Sequence, residues 1–248
     1  MTEVTTNEAV AFHSRIAADF HSSYAHDANR RERLVVWRKY LDKYVRPTDA
    51  TYDLGCGSGM LTAELATRAR LVTAIDGASG MLETAEKHTR GLGLANIAYR
   101  QHTLPIADTS QLPVADLVIS SSVIEYLESL PAALDGIRAL LRDDGLLIFS
   151  MSNANSISRA LVRLIYRLTG KPEYFGFLRH FVTPQSMQGE LARAQFDLLE
   201  YTYFGGADRL NRLMGTVFPR SRATNMVLFV ARKRAGRGVS DNRSTSPA

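Results

Sequence analysis

A glycine-rich turn carries the clearest chemical signal in the sequence. It reads Asp53-Leu54-Gly55-Cys56-Gly57-Ser58-Gly59 and follows a stretch, residues 51–54, that predicts a short buried strand. Asp76 lies at the carboxyl end of the next predicted strand, directly after residues 71–75. Glycines let a backbone turn sharply and approach a ligand closely, and an acid at that place can accept two hydrogen bonds from a ribose diol. This order predicts a site for a nucleotide-like ligand; the alternative is a tight turn in which Asp76 only caps the following helix.

The spacing of the glycines separates two kinds of nucleotide ligand. A dinucleotide site needs G-x-G-x-x-G, whereas here the third glycine is Gly59 and Met60 follows it. The turn therefore disfavours a nicotinamide-dependent dehydrogenase. Asp53, ahead of the glycines, adds a negative charge where a cationic ligand is preferred to a phosphate.

Three stretches give the chain a family resemblance. Residues 53–59 resemble the first motif of class I S-adenosylmethionine-dependent methyltransferases, residues 75–82 resemble their ribose-binding second motif, and residues 116–127 resemble the motif on their fourth strand. The likeness runs in register from about residue 12 to residue 231. Within this superfamily the chain is similar to the small-molecule branch, which includes the ubiquinone-biosynthesis O-methyltransferases and natural-product methyltransferases.

The resemblance implies S-adenosyl-L-methionine as the cofactor and also implies its contacts. Gly55 and Gly57 would hold the methionine part, Asp76 would bind the ribose hydroxyls, and Met81 would pack on the adenine. The cofactor-binding residues implied in this way are Asp53, Gly55, Gly57, Asp76, Gly77, Met81, Thr103, Leu104 and Ser120. One departure is the loop at residues 101–105, which lacks the acid that binds the adenine amine in many family members.

The candidates for catalysis and for binding the methyl acceptor are spread along the chain. His180 lies in an irregular segment beyond the fifth strand and titrates near neutrality, so it is our candidate general base; alternatively, it only packs near Thr183. Tyr126 stands where relatives carry a histidine and is the second catalytic candidate, although a phenol with a pKa near ~10 cannot simply inherit the role of a base. The substrate-binding candidates are Tyr24, Ser121, Asn153 and Tyr174. The remaining histidines, expected to have surface or local structural roles, are His13, His21, His26, His88 and His102.

The elements that must position these residues alternate between strands and helices. Strands are predicted at residues 51–54, 71–75, 97–101, 116–121, 146–151, 196–204 and 225–231, and helices at residues 60–68, 80–91, 131–141 and 184–194. Alternation of this kind builds right-handed βαβ units, and we expect the last two strands to close the sheet as an antiparallel pair. The predicted fold class is α/β: a doubly wound, Rossmann-like, seven-stranded and mostly parallel sheet with helices on both faces.

Two further segments complete a single methyltransferase domain, predicted over residues 1–231. Residues 9–45 predict a cover of two helices that are divided near residues 22–29. Residues 153–182 predict a lid, inserted after the fifth strand, that shapes the acceptor site. Aromatic residues in this lid favour an aromatic or apolar acceptor.

The lid contains a basic amphipathic helix, residues 156–169, with Arg159, Arg163 and Arg167 on one face. One interpretation is an ordinary lid helix with a solvated arginine face. The other is a weak contact with a membrane surface near a lipophilic substrate.

Composition narrows the partners and the compartment. The chain has 248 residues and a net charge of +5, but residues 232–248, expected to be a disordered basic tail, hold five basic residues against one acid. Residues 1–231 are nearly neutral and lack the excess of positive charge that is typical of nucleic-acid-binding proteins, so no nucleic-acid partner is expected. The single cysteine, Cys56, excludes an intramolecular disulfide and a zinc cluster of several thiolates. We expect a cytoplasmic monomer or homodimer that needs no metal.

The predicted function is transfer of a methyl group from S-adenosylmethionine to an oxygen of a small molecule, with nitrogen as the second choice. One alternative is a nucleic-acid methyltransferase, prompted by the basic pI of about 9.4. The other is a catalytically silent scaffold that binds the cofactor and acts through partners.

Overall fold

The computed structural model describes residues 6–106 and 108–236, and a seven-stranded sheet lies at its centre. The strands are β1 (Ala50–Leu54), β2 (Leu71–Asp76), β3 (Ile97–Gln101), β4 (Ala115–Ser121), β5 (Leu141–Ser152), β6 (Phe196–Phe204) and β7 (Met226–Lys233). Their order across the sheet is β3-β2-β1-β4-β5-β7-β6. The predicted α/β fold with a seven-stranded sheet is confirmed.

The direction of the strands fixes where a ligand can bind. Strands β1 to β5 run parallel, and β7 runs antiparallel to both β5 and β6, as predicted for the closing pair. The order reverses between β1 and β4, which lie side by side. In open α/β sheets, ligands bind in the crevice at the carboxyl ends of the strands at such a switch point.

Helices cover both faces of the sheet. They are α1 (Thr6–Arg15), α2 (Ala17–His26), α3 (Ala28–Tyr44), α4 (Met60–Ala66), α5 (Ser79–Gly91), α6 (Leu130–Leu140), α7 (Ile157–Thr169), α8 (Pro184–Arg193), α9 (Arg209–Gly215) and α10 (Arg220–Ala223). On one face the core joins Leu134 of α6 and Met187 of α8 to the sheet. On the other, Trp37 of α3 and Leu65 of α4 pack against it. Both faces of the sheet are therefore buried, as a mainly parallel sheet requires.

The amino-terminal cover differs from the prediction, because it has three helices instead of two. The breaks fall at Ile16 and at Asp27; the second lies within the predicted division at residues 22–29, and the first was not predicted. Asp27 determines the second break, since its carboxylate accepts hydrogen bonds from the backbone N–H groups of Asn29 (2.8 Å) and Arg30 (3.1 Å). An aspartate in this position caps the helix that follows it, here α3.

The fifth strand is longer than predicted. The turn expected at residues 143–145 lies inside β5, which begins at Leu141. Asp144 has a φ of +61°, and the pairing of β4 with β5 shifts register after Ala115. The strand therefore bulges where the Asp-Asp-Gly sequence suggested a turn.

The carboxyl-terminal strand also extends past its predicted end. Arg232 and Lys233, which we assigned to the disordered tail, belong to β7. Lys233 donates a hydrogen bond from Nζ to the carbonyl oxygen of Leu141 (2.7 Å), and Arg234 donates one from Nε to Asp197 (2.8 Å). The rest of the predicted tail, residues 237–248, lies outside the described residues. Within the described part of the chain, no helix has both the length and the apolar character needed to span a bilayer.

Candidate active site

A cavity of about 620 Å³ opens at the carboxyl ends of β1, β2 and β4. One wall holds Gly55, Gly57 and Asp76, at the ends of β1 and β2. Helices α1, α3 and α7 and the segment around Tyr174 contribute much of the rest of the wall. Strand ends, the amino-terminal cover and the lid thus enclose one space, and the expectation that all three contribute to the site fits this geometry.

The glycine turn adopts a backbone that other residues cannot copy. Gly55 has a φ of +72°, and a Cβ atom at this position would lie 2.2 Å from Cγ2 of Val123. Gly57 has a φ of +53° and donates its N–H to Oδ2 of Asp76 over 2.8 Å. The backbone therefore passes close under the cavity because no side chain intervenes.

Asp76 is oriented by the backbone on two sides. Besides the bond from Gly57, its Oδ1 accepts a hydrogen bond from the N–H of Ala78 (2.9 Å). Burial raises the pKa of Asp76, while these N–H groups oppose the shift by stabilising the charged form. Each oxygen of a carboxylate can accept a second hydrogen bond, so Asp76 retains capacity for a ribose diol facing the cavity.

Other predicted cofactor residues divide into two groups. Gly77, Met81 and Leu104 line the cavity, and together with Asp76 they offer an acid, backbone and apolar surface that fit S-adenosylmethionine. Thr103 does not line it; its Cα lies 3.6 Å from where a Cβ of Gly77 would stand, so it supports the loop from behind.

Asp53 and Ser120 lie beneath the cavity instead of in its wall. Asp53 is 1% exposed and accepts a hydrogen bond from Oγ1 of Thr62 (2.7 Å). Burial and the negative charge of Asp76 raise the pKa of Asp53 to about 7. Ser120 donates from Oγ to the carbonyl oxygen of Leu54 (3.0 Å), which ties β4 to β1. Both residues thus hold the strand ends in position rather than contact a ligand.

The two catalytic candidates do not supply a base. Nε2 of His180 lies 2.9 Å from the carbonyl oxygen of Leu127, and His180 is not part of the cavity wall. Tyr126 does line the cavity, but burial and the negative charge of Glu125 raise its pKa well above the ordinary value, so the phenol keeps its proton. The structure therefore does not bring His180 to the site and makes Tyr126 a donor instead of a base.

The substrate-binding candidates also separate. Ser121 and Tyr174 line the cavity. Asn153 is fully buried and donates from Nδ2 to the carbonyl oxygens of Ser221 (2.7 Å) and Thr224 (2.8 Å), so its role is to join the lid to the segment before β7. Tyr24 packs against Phe20 with ring centroids 5.9 Å apart and does not reach the cavity.

The side chain that helix α1 presents to the cavity is the main feature that the sequence did not reveal, although the helix itself was predicted. This helix brings His13, predicted to have a surface or local role, to the cavity wall. Nδ1 of His13 lies 2.7 Å from the carbonyl oxygen of Ala9, and its ring meets that of Tyr126 edge-on at 5.4 Å. The apolar spacing of Phe12 and Ile16, neighbours of His13 in the chain, was the available signal.

The same helix joins the donor side of the cavity to the lid. Oγ of Ser14 accepts a hydrogen bond from the N–H of Gly80 on α5 (3.0 Å). Phe12 packs on Phe177 of the lid with ring centroids 5.2 Å apart. Helix α1 therefore bridges the donor side of the cavity and the lid.

Comparison with known proteins agrees with this geometry. A family model described as a methyltransferase domain matches residues 52–149. The chain is 30% identical over 166 residues to a ubiquinone biosynthesis O-methyltransferase of Methylocella silvestris, an alignment that covers 65% of this chain and 64% of that protein. It is 30% identical over 115 residues to a malonyl-[acyl-carrier protein] O-methyltransferase of Serratia marcescens, which covers 45% of this chain and 41% of the relative. The chain thus matches less than two thirds of the length of either relative.

The fold has counterparts among solved structures. The N-methyltransferase NodS from Bradyrhizobium japonicum WM9, in complex with S-adenosyl-L-homocysteine, superposes with a TM-score of 0.66 at 18% identity over 92% of this chain and 99% of that one. The family match runs from β1 into β5 and so contains the glycine turn, Asp76 and the end of β4. Residues 52–149 thus match a methyltransferase domain, and the comparisons support a class I S-adenosylmethionine-dependent methyltransferase with S-adenosyl-L-methionine as its cofactor.

Proposed function

We propose that the protein transfers the methyl group of S-adenosylmethionine to an oxygen of a small metabolite, with nitrogen as the second choice. The observation that carries this proposal is the continuity of the cavity. Gly57 and Asp76 on the donor side and Tyr174 and Val162 on the lid border the same space. An acceptor held by the lid would therefore meet the donor within one enclosed volume.

The chain's own contribution is mainly to position and to shield the reactants. When bound, S-adenosylmethionine supplies a methyl group on a positively charged sulfur. Methyl transfer is an in-line displacement whose barrier falls when donor and acceptor are held at close approach. Gly57 and Asp76 fix the donor side, and α1, held to α5 through Ser14 and Gly80, keeps water out.

We assign the proton-accepting role to His13 instead of His180. A carbonyl oxygen only accepts, so the contact with Ala9 requires the Nδ1–H of His13 to donate. Nε2 of the neutral ring then keeps a lone pair. Because His13 belongs to the cavity wall, it is the histidine best placed to take a proton from a hydroxyl acceptor.

The names of the relatives support oxygen as the acceptor atom. The relatives from Methylocella silvestris and Serratia marcescens both carry the name of an O-methyltransferase. The test is to incubate the protein with S-adenosylmethionine carrying an isotope-labelled methyl group and a panel of phenols, carboxylic acids and amines. We expect label on oxygen, identified by mass spectrometry.

Three results would overturn the proposal. Label on nitrogen alone would replace the acceptor atom. Label on RNA or DNA alone, retained after deletion of residues 232–248, would favour the nucleic-acid alternative. Cofactor binding without transfer to a whole metabolite extract would favour the scaffold.

A weak contact with a membrane surface through residues 156–169 is a second part of the proposal. Several apolar side chains of α7 face outward, with Leu164 54% and Leu168 77% exposed, although Val162 lines the cavity. We expect vesicles with anionic phospholipid to retain the protein weakly, and the double change Leu164→Ser and Leu168→Ser to abolish retention in flotation. Equal retention of both proteins would contradict this contact.

The single cysteine, Cys56, is a buried free thiol, which favours a reducing, cytoplasmic compartment.

A further inference from the structure

Three guanidinium groups line the cavity. That of Arg30 lies over the ring of Phe20, 4.0 Å from its centroid, whereas those of Arg33 and Arg159 lie on the acceptor side. Arg33 extends from α3 and Arg159 from α7. They come from elements far apart in the chain, so only the fold brings them to the same wall.

The N–H donors of Arg159 have weak hydrogen-bond partners or none. Its Nη1 donates to the hydroxyl of Tyr174 over a long 3.4 Å, and its Nη2 points at Sδ of Met226 at 3.3 Å. Its Nε is buried and has no hydrogen-bond partner. A guanidinium has five N–H donors, and a thioether is a weak acceptor. A buried N–H donor without a partner lowers the stability of the folded protein. A ligand with a strong hydrogen-bond acceptor would satisfy this donor better than the thioether does.

Arg33 is held at the end of β4. Its Nη2 donates to Oγ of Ser122 over 3.1 Å. Ser122 directly follows β4 and has a φ of +58°, a left-handed conformation that non-glycine residues rarely adopt. Such conformations persist where the surrounding structure enforces them, and they concentrate at functional sites. Arg33 is thus anchored beside the strand end where acceptor and donor would meet.

The acids of the cavity do not neutralise these arginines by direct contact. Both oxygens of Glu125 are bound by Ser152, one from its N–H (2.7 Å) and one from its Oγ (3.2 Å). Burial raises the pKa of Glu125, while the positive charges of Arg159 and Arg33 oppose that shift. Among the residues that the structure describes, no carboxylate oxygen lies within 4.0 Å of either guanidinium.

The remaining acids of the acceptor side are occupied elsewhere. Asp208 accepts hydrogen bonds from Nδ2 of Asn29 (2.8 Å) and from the backbone and side chain of Asn211 (2.9 and 2.6 Å). Asp27 caps α3. Both guanidinium groups therefore keep N–H donors for a ligand.

We propose that the methyl acceptor carries an anionic oxygen group, a carboxylate or a phosphate, which Arg33 and Arg159 bind together. Guanidinium groups bind carboxylate and phosphate in charge-assisted, often bidentate hydrogen bonds. Beside the pair, Tyr174, Val162 and Leu178 form an aromatic and apolar wall. The acceptor is thus an aromatic or apolar molecule with an anionic end, a substrate class that rests on, and narrows, the proposed function.

The test uses the full chain loaded with S-adenosylhomocysteine and four probes: benzoate, phenyl phosphate, and their neutral counterparts benzamide and benzyl alcohol. Ligand-detected NMR gives their dissociation constants. We expect at least one anionic probe to bind about tenfold or more tightly than the neutral probes. Preference for benzoate assigns a carboxylate to the acceptor, and preference for phenyl phosphate assigns a phosphate.

Variants then show whether the arginines produce this preference. Arg159→Gln and Arg33→Gln should each remove it, and Arg159→Lys should restore it in part. Arg163→Gln is the matched control, because Arg163 lies one turn along α7, over the ring of Phe181 at 4.4 Å, and outside the cavity wall. It should leave every dissociation constant unchanged.

Equal binding of the anionic and neutral probes by the unaltered protein would overturn the inference, whether or not the variants fold. A preference that survives both glutamine variants would also overturn it. Binding of S-adenosylhomocysteine, measured first in the same samples, separates the two proposals. Its absence contradicts the proposed function, whereas its presence without an anionic preference contradicts only the substrate class.

Discussion

The cavity has two halves that are built in different ways. The donor half comes from short segments at the ends of the adjacent strands β1 and β2, where Gly57 bonds directly to Asp76. The acceptor half is assembled from α3 and α7, which contribute Arg33 and Arg159. Helix α1 borders both halves, since His13 acts on the charge of Asp76 and its ring meets that of Tyr126. The donor half depends on local backbone geometry, whereas the acceptor half depends on how distant helices pack. Changes in the first half should therefore alter cofactor binding, and changes in the second should alter substrate choice and rate.

The largest effect is expected from Gly55→Ala, which breaks the donor half. The backbone of Gly55 has a φ of +72°, which costs a residue with a Cβ atom about 1 kcal/mol. In addition, the new Cβ would lie 2.2 Å from Cγ2 of Val123, which is a steric clash. We expect calorimetry to show no saturable binding of S-adenosylhomocysteine and the melting temperature to fall. Gly93→Ala is the matched control, with a φ of +73° and nothing within 4 Å. If both variants bind alike, the close approach at Gly55 has no importance.

His13→Ala tests the border between the two halves. Loss of a general base is expected to lower kcat with a phenolic acceptor by about 10²-fold or more and to leave the affinity for S-adenosylhomocysteine nearly unchanged. A general base makes kcat depend on pH, and a stopped assay across pH should show that His13→Ala loses this dependence. His180→Asn serves as the comparison, because His180 contacts Leu127 outside the cavity. A pH profile lost in His180→Asn and kept in His13→Ala would reverse the assignment.

Asp76→Ala should separate the two halves. Removing a charged hydrogen-bond acceptor is expected to weaken cofactor binding by about 1–3 kcal/mol. The preference for an anionic probe at high S-adenosylhomocysteine concentration should persist, since Arg33 and Arg159 are untouched. Calorimetry measures the first quantity and NMR the second. Asp108→Ala, an exposed acid bonded to Ser110, should change neither, and unchanged cofactor affinity in Asp76→Ala would refute the ribose assignment.

Asp53 is expected to make the stability of the fold depend on pH without a direct effect on ligand contacts. Its pKa in the folded protein is raised from 3.8 to about 7, so between about pH 4 and pH 7 the folded state holds a proton that the unfolded state has released. The contribution of Asp53 to the free energy of unfolding is therefore greatest below about pH 4. It decreases between about pH 4 and pH 7, by at most about 1.4 kcal/mol per pH unit, and it is constant above about pH 7.

Asp53→Asn should remove that slope, because the amide oxygen can still accept the bond from Thr62 but cannot ionise. Urea unfolding of both proteins between pH 4 and pH 8 measures the difference. An identical slope in the variant would show that Asp53 does not titrate in this range.

The donor half could be predicted from the sequence because its signals are local. Gly55, Gly57 and Asp76 sit at fixed distances from strand ends, and a parallel sheet brings such ends together. Asp53 and Ser120 show the limit of this reasoning. Both residues belong to motifs that resemble those of the family. Because side chains alternate between the two faces of a strand, however, theirs point into the core beneath the cavity.

The acceptor half could not be predicted, because its geometry depends on contacts between distant segments. Arg159 belongs to an arginine face that the helical period predicts to be solvated, but packing of α7 beside Tyr174 and Met226 turns it to the cavity. The position of His180 after β5 favours it as a base, whereas the sequence around His13 indicates only a surface or local role. No pattern in a single chain states which histidine a folded amino-terminal helix will bring to the site.

The most direct test of the central claim is calorimetric titration of the protein and of Asp76→Ala with S-adenosylmethionine, S-adenosylhomocysteine and NADH. We expect saturable binding of both sulfur ligands, weaker binding by the variant, and no binding of NADH. Failure of the unaltered protein to bind either sulfur ligand, or binding of NADH as tight as theirs, would contradict the assignment of the glycine turn and Asp76 to the methyl donor.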